Sequence, residues 1–265
     1  RTKAMAMIGM SIGLSFAVAM VVGPLLTRAY GLSGLFLSTA AMAIVGLLIV
    51  ALVVPRASTQ LQHRESGVAK QALSATLRHP DLLRLDLGIF VLHAILMASF
   101  VALPLALVAN GGLPKEEHWW VYLTALLVGF FAMVPFIIYG EKKKQWRRVL
   151  LTSVVILLVS QIVFFQAHTL MMIVLALLIY FVGFNLLEAL QPSMVSRWAK
   201  DEKGAALGIY NTTQSVGLFT GAAVGGLLMQ YSGELSVFIG GSVLIILWLI
   251  IAWPMRNIPS AQTAT

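Results

Sequence analysis

The feature that most constrains this chain is the recurrence of long apolar runs. Eight occur, near 5–27, 34–54, 85–109, 119–140, 149–166, 169–196, 204–230 and 235–254. A helix needs about 20 mostly apolar residues to cross the hydrocarbon core of a bilayer. Lipid offers no partner to an unpaired backbone amide, so such runs must close their hydrogen bonds internally as helices. Strand-like alternation is absent. The expected fold class is therefore all-α: a polytopic membrane protein of eight transmembrane helices. Composition agrees, with only 11% charged residues against about 25% in soluble domains.

The punctuation between runs supports this division. Gly31–Leu32–Ser33–Gly34 reads as a turn, and Asn110–Gly111–Gly112–Leu113–Pro114 is a cluster of breakers. Pro80 and Asp81, following Arg78–His79, suit a helix start. Three regions result: residues 1–55 with two spans, a polar linker at 56–80, and residues 81–265 with six spans. Within the linker Leu73 and Leu77 lie four apart, with Lys70 and Arg78 nearby. That spacing predicts a short amphipathic helix on the membrane surface.

The net charge of +8 could indicate nucleic acid, but the positions of the charges exclude it. With the N-terminus in the cytoplasm, 16 of the 18 Lys and Arg fall in cytoplasmic loops and ends, leaving only Arg28 and Lys115 outside. Such asymmetry orients membrane proteins. Both termini are expected in the cytoplasm, and the basic residues are loop anchors. Trp119 and Trp120 then open the fourth span at the outer interface, and Trp146 and Trp198 lie at the inner one.

Enzyme chemistry finds little support. The chain has no cysteine, which excludes thiolate metal sites and cysteine nucleophiles. It has no H-E-x-x-H, phosphate-binding loop or dinucleotide fingerprint. Gly9–Met10–Ser11–Ile12–Gly13 matches G-x-S-x-G but lacks the strand–turn–helix setting of the hydrolase motif. No catalytic residue, metal or cofactor is expected. Polar groups scattered over unlike spans also fit a carrier better than a channel, which favours rings of like residues.

Spans two, five and eight are nearly all lipid-compatible, whereas spans three, six and seven carry polar groups. His93 lies nine residues from Arg84, Glu188 nine from Arg197, and Asn211 and Gln214 eight and eleven from Lys203. At about 1.5 Å per residue, all four sit roughly 12–17 Å from the same ends of their helices. Secondary transporters hold substrate and coupling ions in such a mid-membrane layer. Asn185 and Glu188 are three apart, as are Asn211 and Gln214. Two readings stand for each residue. Glu188 is a proton or substrate group, or a structural acid bonded to Asn211 or Gln214. His93 is functional or a packing histidine. Asn185, Asn211 and Gln214 line a cavity or glue helices together. Gly217, Gly221 and Gly225 recur every four residues in span seven, a spacing that lets helices approach closely for static packing or for sliding.

Local sequence then points to a family. Gly9, Gly13 and Gly23–Pro24 resemble the fifth span of the major facilitator superfamily, whose antiporter signature shares the Gly-Pro ending. Ala19 and Thr27–Arg28 depart from that signature. Phe184 to Ser193, containing Asn185 and Glu188, resembles the tenth span of the drug:proton antiporter branch, and Lys203 to Gln214 the start of its eleventh. Leu92–His93 and Phe100 to Pro104 are similar to the same branch.

The resemblance implies a C-terminal six-helix half preceded by the last two helices of an N-terminal half. It also implies a multi-pass protein of the bacterial inner membrane. Its activity would be proton-coupled efflux of small hydrophobic or amphipathic compounds by alternating access, with Gly23, Pro24, Gly217, Gly221 and Gly225 as packing or gating positions. The partners implied are the lipid bilayer, protons, a small-molecule substrate, and N-terminal spans of a longer parent chain. Arg1 in place of Met fits a fragment of such a parent. The alternatives are a truncated, non-transporting membrane remnant or scaffold and, further off, an intramembrane enzyme built on Ser11.

Overall fold

The structure is a computed structural model that describes residues 2–54, 73–199 and 202–257, with the backbone alone described over 2–14, 16, 17 and 20. It divides into two compact units, Arg1–Gln71 and Ala72–Thr265.

The first unit holds α1 (Thr2–Val53), which covers the first two expected spans. Gly31 interrupts its helical geometry with φ +67° and ψ −174°. A side chain there would clash with the backbone, so glycine is the residue that permits the break. Pro24 lies inside the helix, and the neighbouring Gly23 carbonyl accepts the Thr27 hydroxyl at 2.9 Å. Of the expected amphipathic linker helix, residues 73–78 are helical with Leu73 and Leu77 exposed, while 55–72 lies outside the described residues.

The second unit is a bundle of α2 (Pro80–Ala109), α3 (His118–Lys143), α4 (Trp146–Phe165), α5 (Leu170–Trp198), α6 (Lys203–Ser232) and α7 (Glu234–Ala252), with a 3-10 turn at Lys115–Glu117. Helix α2 starts where its sequence directs. His79 accepts a bond from the Leu82 amide, Pro80 needs no partner in the first turn, and Asp81 meets the positive end of the helix. Thr169 caps α5 by accepting from the Met172 amide at 3.4 Å.

Helix α2 forms the centre of this unit. It packs most extensively on α6 and also against α7 and α5, while α5 joins α4 to α3. The α2–α6 contact is a ladder of small residues. A Cβ added to Gly217 would lie 2.5 Å from the Phe90 carbonyl, one on Gly221 2.1 Å from the Ala94 carbonyl, and one on Gly225 2.6 Å from Ala98 Cα. The two helices therefore run parallel in matched four-residue steps. Helices α2 and α7 run antiparallel and are joined at both ends. Asn110 Nδ2 donates to Glu234 Oε1 at 2.8 Å at one end. At the other, Asp81 pairs with Arg84 at 2.7 Å and with Arg256, just beyond α7, at 3.3 Å.

Six helical stretches among the described residues are long and apolar enough to cross a membrane: Val21–Val53, Pro80–Ala109, Lys115–Lys143, Trp146–Phe165, Leu170–Trp198 and Glu234–Ala252. Helix α6 has ample length at 30 residues but is not among them. Asn211, Thr212, Thr213 and Gln214, together with its glycines, dilute its apolar character, and its glycine face is covered by α2 rather than by lipid.

Trp146 and Trp198, expected at the inner interface, differ from simple interfacial anchors. Trp146 is buried, with the Arg197 guanidinium 4.5 Å from its ring centroid, and Trp198 packs on His79. Helix α4 also has a polar interior face: Gln161 is fully buried, and its Nε2 donates to Ser99 Oγ on α2 at 3.5 Å.

Candidate functional site

Three of the expected polar residues meet. His93 on α2, Glu188 on α5 and Gln214 on α6 converge where those helices pack together. His93 Nε2 lies 3.7 Å from Glu188 Oε2 and 2.7 Å from Gln214 Nε2. Its Nδ1 lies 3.2 Å from the Ile89 carbonyl, one turn back. Phe184 packs edge-on against the imidazole, with ring centroids 5.7 Å apart, and fixes its plane.

These contacts define a hydrogen-bond logic. A carbonyl can only accept, so Nδ1 carries the hydrogen that Ile89 receives, and Nε2 presents its lone pair to the Gln214 amide N–H. A proton arriving on Nε2 would turn that acceptor into a donor. Gln214 would then have to rotate its amide and offer oxygen, while the new N–H would face the Glu188 carboxylate. The three side chains thus form one unit with two self-consistent arrangements, differing by one proton.

Exposure divides the unit. The His93 side chain is 6% exposed and that of Glu188 28%. The Glu188 side chain is the more accessible member, although its Oε2 is buried and has no hydrogen-bond partner, and the imidazole is shielded. An apolar cavity of about 420 Å³ lies between α2, α6 and α7, lined in part by Phe90, Ala94, Ser99, Gly221, Gly225 and Gly241; none of the three cluster residues lines it.

The structure does not bring the other two candidates to this cluster. Asn185 Nδ2 donates to the Leu126 carbonyl of α3 at 3.2 Å and staples α5 to that helix. Asn211 is exposed, and its own carbonyl accepts the Ser215 hydroxyl at 3.1 Å. Gly217, Gly221 and Gly225 all face α2, whereas a Cβ on Gly23 would meet nothing within 4 Å. Among the described residues no group of His, Cys, Asp and Glu could hold a metal ion.

Several buried polar residues escaped the sequence reading. Asp86 on α2 is 7% exposed, Gln191 on α5 fully buried, and Tyr210 on α6 2% exposed. Each carries a buried polar atom without a hydrogen-bond partner. The available signal was a polar residue inside an apolar run. Asp86 stands one residue past the expected start of the third span, where an acid reads as part of the loop.

The Major Facilitator Superfamily matches the chain over residues 1–190 and again over 146–265. The chain belongs to that family. Among members of the superfamily, it is 42% identical over 261 residues to the inner membrane transport protein YajR of Escherichia coli (strain K12). That alignment covers 98% of this chain and 57% of the relative. It is 31% identical over 225 residues to an uncharacterized transporter of Buchnera aphidicola from Acyrthosiphon pisum, covering 83% of this chain and 57% of that protein. A second Buchnera transporter, from Baizongia pistaciae, is 27% identical over 256 residues, 94% of this chain and 64% of its own length. The chain thus spans less than two thirds of the length of these superfamily relatives.

Proposed function

We propose that this chain forms the last eight spans of a proton-coupled secondary transporter of the bacterial inner membrane, working with further spans of a longer polypeptide to export small hydrophobic or amphipathic compounds. The observation that carries the reading is the partly exposed Glu188 side chain, whose buried and unpartnered Oε2 is held 3.7 Å from the shielded His93 imidazole. Ionisable side chains are costly inside a bilayer and are retained there for proton or ion traffic. Here they come from different helices, so a relative movement of α2, α5 and α6 would change their contact.

In the cycle we envisage, Glu188 takes a proton from one side of the membrane and His93 with Gln214 senses its arrival. A protonated Glu188 is neutral and needs no counter-charge, which favours the arrangement in which the helices close over it. Deprotonation favours the open arrangement. A ligand or proton shifts such an equilibrium only by its differential affinity for the two states. The apolar cavity between α2, α6 and α7 supports the substrate class, because its lining offers hydrocarbon contact and almost no polar group. The relatives named as transporters support the broader function.

The test is Glu188→Gln in the full-length protein reconstituted in liposomes, with efflux of ethidium followed under an imposed pH gradient. The substitution is expected to abolish gradient-driven efflux while leaving protein yield unchanged. Wild-type efflux by the variant, with the same dependence on the gradient, would remove Glu188 from the coupling role.

A further inference from the structure

The buried polar groups do not end at the His93 cluster. Asp86 lies seven residues before His93, two turns along the same face of α2, or about 10 Å nearer the end at which that helix begins. It is 7% exposed, and its Oδ2 has no hydrogen-bond partner. Tyr210 on α6 is 2% exposed, and its hydroxyl is likewise unpartnered. Tyr210 stands four residues, one turn, before the Gln214 that meets His93, on the same face of α6. Gln191, one turn beyond Glu188 on α5, is fully buried with both polar atoms unpartnered. Its Oε1 sits 2.6 Å from where a Cβ on Gly88 would stand.

Buried polar atoms in native proteins are almost always paired, with protein or with water. Asp86, Tyr210 and Gln191 leave such atoms on α2, α6 and α5, the three helices that also build the cluster. A structural carboxylate at this depth would be expected to carry a cation, as Asp81 does with Arg84 and Arg256. No ion pair of Asp86 exists among the described residues. The other ionisable groups near it on α2 are Asp81 and Arg84, paired to each other, and His93. Helix α5 contributes Glu188 and Tyr180, and α6 contributes Tyr210 and, at its start, Lys203. Helix α7 brings the non-titrating Trp248, with Arg256 following it.

We infer that Asp86 is a second proton-carrying acid, receiving protons from Glu188 and passing them to the membrane face at which α2 begins, with the Tyr210 hydroxyl serving both carboxylates. The step moves one proton and no electrons. The protonated Glu188 loses its proton and becomes a carboxylate. The Tyr210 oxygen accepts a proton as its own passes on, directly or through water, to the Asp86 carboxylate. Asp86 then releases a proton to water, and the tyrosine hydroxyl is restored.

This inference rests on the proposed proton-coupling role of Glu188, and the experiment separates the two. The full-length protein, reconstituted and adsorbed on a solid-supported membrane, is subjected to pH jumps without substrate, and the transient current is recorded. Wild type is expected to give a fast transient that Glu188→Gln abolishes. Asp86→Asn is expected to slow it by at least about tenfold, in keeping with the loss of a positioned acid or base. Asp86→Glu should restore most of the rate, and Tyr210→Phe should slow it while leaving the fold intact. A transient absent from wild type, or unchanged in Glu188→Gln, would overturn the Glu188 reading and this one with it. A transient lost in Glu188→Gln but of wild-type rate in Asp86→Asn would overturn this inference alone. Should Asp86→Asn fail to fold, a wild-type rate in Tyr210→Phe overturns it equally.

Discussion

Gly221 lies against Ala94 so closely that a Cβ built on it would stand 2.1 Å from the Ala94 carbonyl oxygen. A rigid backbone, not a flexible side chain, occupies the space. Gly221→Ala must therefore push α6 away from α2 along the whole ladder. The expected cost is about 1–3 kcal/mol, the usual range for overpacking. Gly226, where a Cβ would meet nothing within 4 Å, provides the control. Gly226→Ala should be neutral or slightly stabilising, because alanine favours the helix by about 1 kcal/mol. Thermal melting of the detergent-solubilised protein compares the two, and equal melting temperatures would mean that α6 does not rest on α2 as described.

Gln214→Leu keeps the volume of the side chain but removes the donor that His93 Nε2 accepts at 2.7 Å. An imidazole left with a buried unpaired nitrogen costs about 1–3 kcal/mol. The variant should melt lower than wild type, and Gln214→Glu, which retains a polar terminus, should behave differently from it in its dependence on pH. A Gln214→Leu protein as stable as wild type would show that the His93 contact contributes nothing.

Asn185 and Glu188 can be separated by substitution. Asn185→Ala loses the bond to the Leu126 carbonyl and should cost about 1 kcal/mol while leaving gradient-driven ethidium efflux at the wild-type rate. Efflux lost at unchanged stability would return Asn185 to the proton or substrate pathway.

The two arginines that meet Asp81 should differ in weight. Arg84 is 23% exposed and Arg256 70%. An exposed partner gives about 0–1 kcal/mol because water screens it. Arg256→Ala should therefore barely change the melting temperature, whereas Arg84→Ala should lower it clearly, since the fully buried Asp81 then keeps only the outer arginine. The reverse order would mean that the segment after α7 carries the contact.

Because these 265 residues hold no cysteine, single thiols introduced among them report topology once any cysteine in the rest of the full-length protein is replaced. Lys115→Cys and Lys143→Cys are expected to react with a membrane-impermeant maleimide from opposite sides, Lys115 from outside. Labelling of both from the same side would refute the expected orientation.

Much of the bundle was legible because lipid imposes a length on each helix and a helical form on its backbone. The depth of a residue could be counted from the nearest charged helix end, and this brought His93, Glu188 and Gln214 into one layer. Azimuth could not be counted in the same way. Residues three apart differ by about 60° around a helix, enough to turn Asn185 toward α3 while Glu188 faces α2 and α6. The same rotation leaves Asn211 exposed while Gln214 meets His93. Asp86 and Tyr210 were missed for a related reason. Near a helix end an acid or a tyrosine looks like an interfacial group, and only the packing of α2 against α6 buries it.

The two joints between α2 and α7 have a mechanical consequence. Asn110 holds Glu234 at one end, and Asp81 holds Arg256 at the other. A slide of either helix along its axis by a single turn would rupture both contacts at once, with the part-buried Asn110–Glu234 bond the firmer of the two and the exposed Arg256 the weaker. The α2–α6 seam is held differently: its glycine rungs touch backbone without bonding it, and a polar tie across it is the His93–Gln214 hydrogen bond. A slide along that seam would therefore have to break the contact between His93 and Gln214, so a change at the polar cluster and a change in helix register go together.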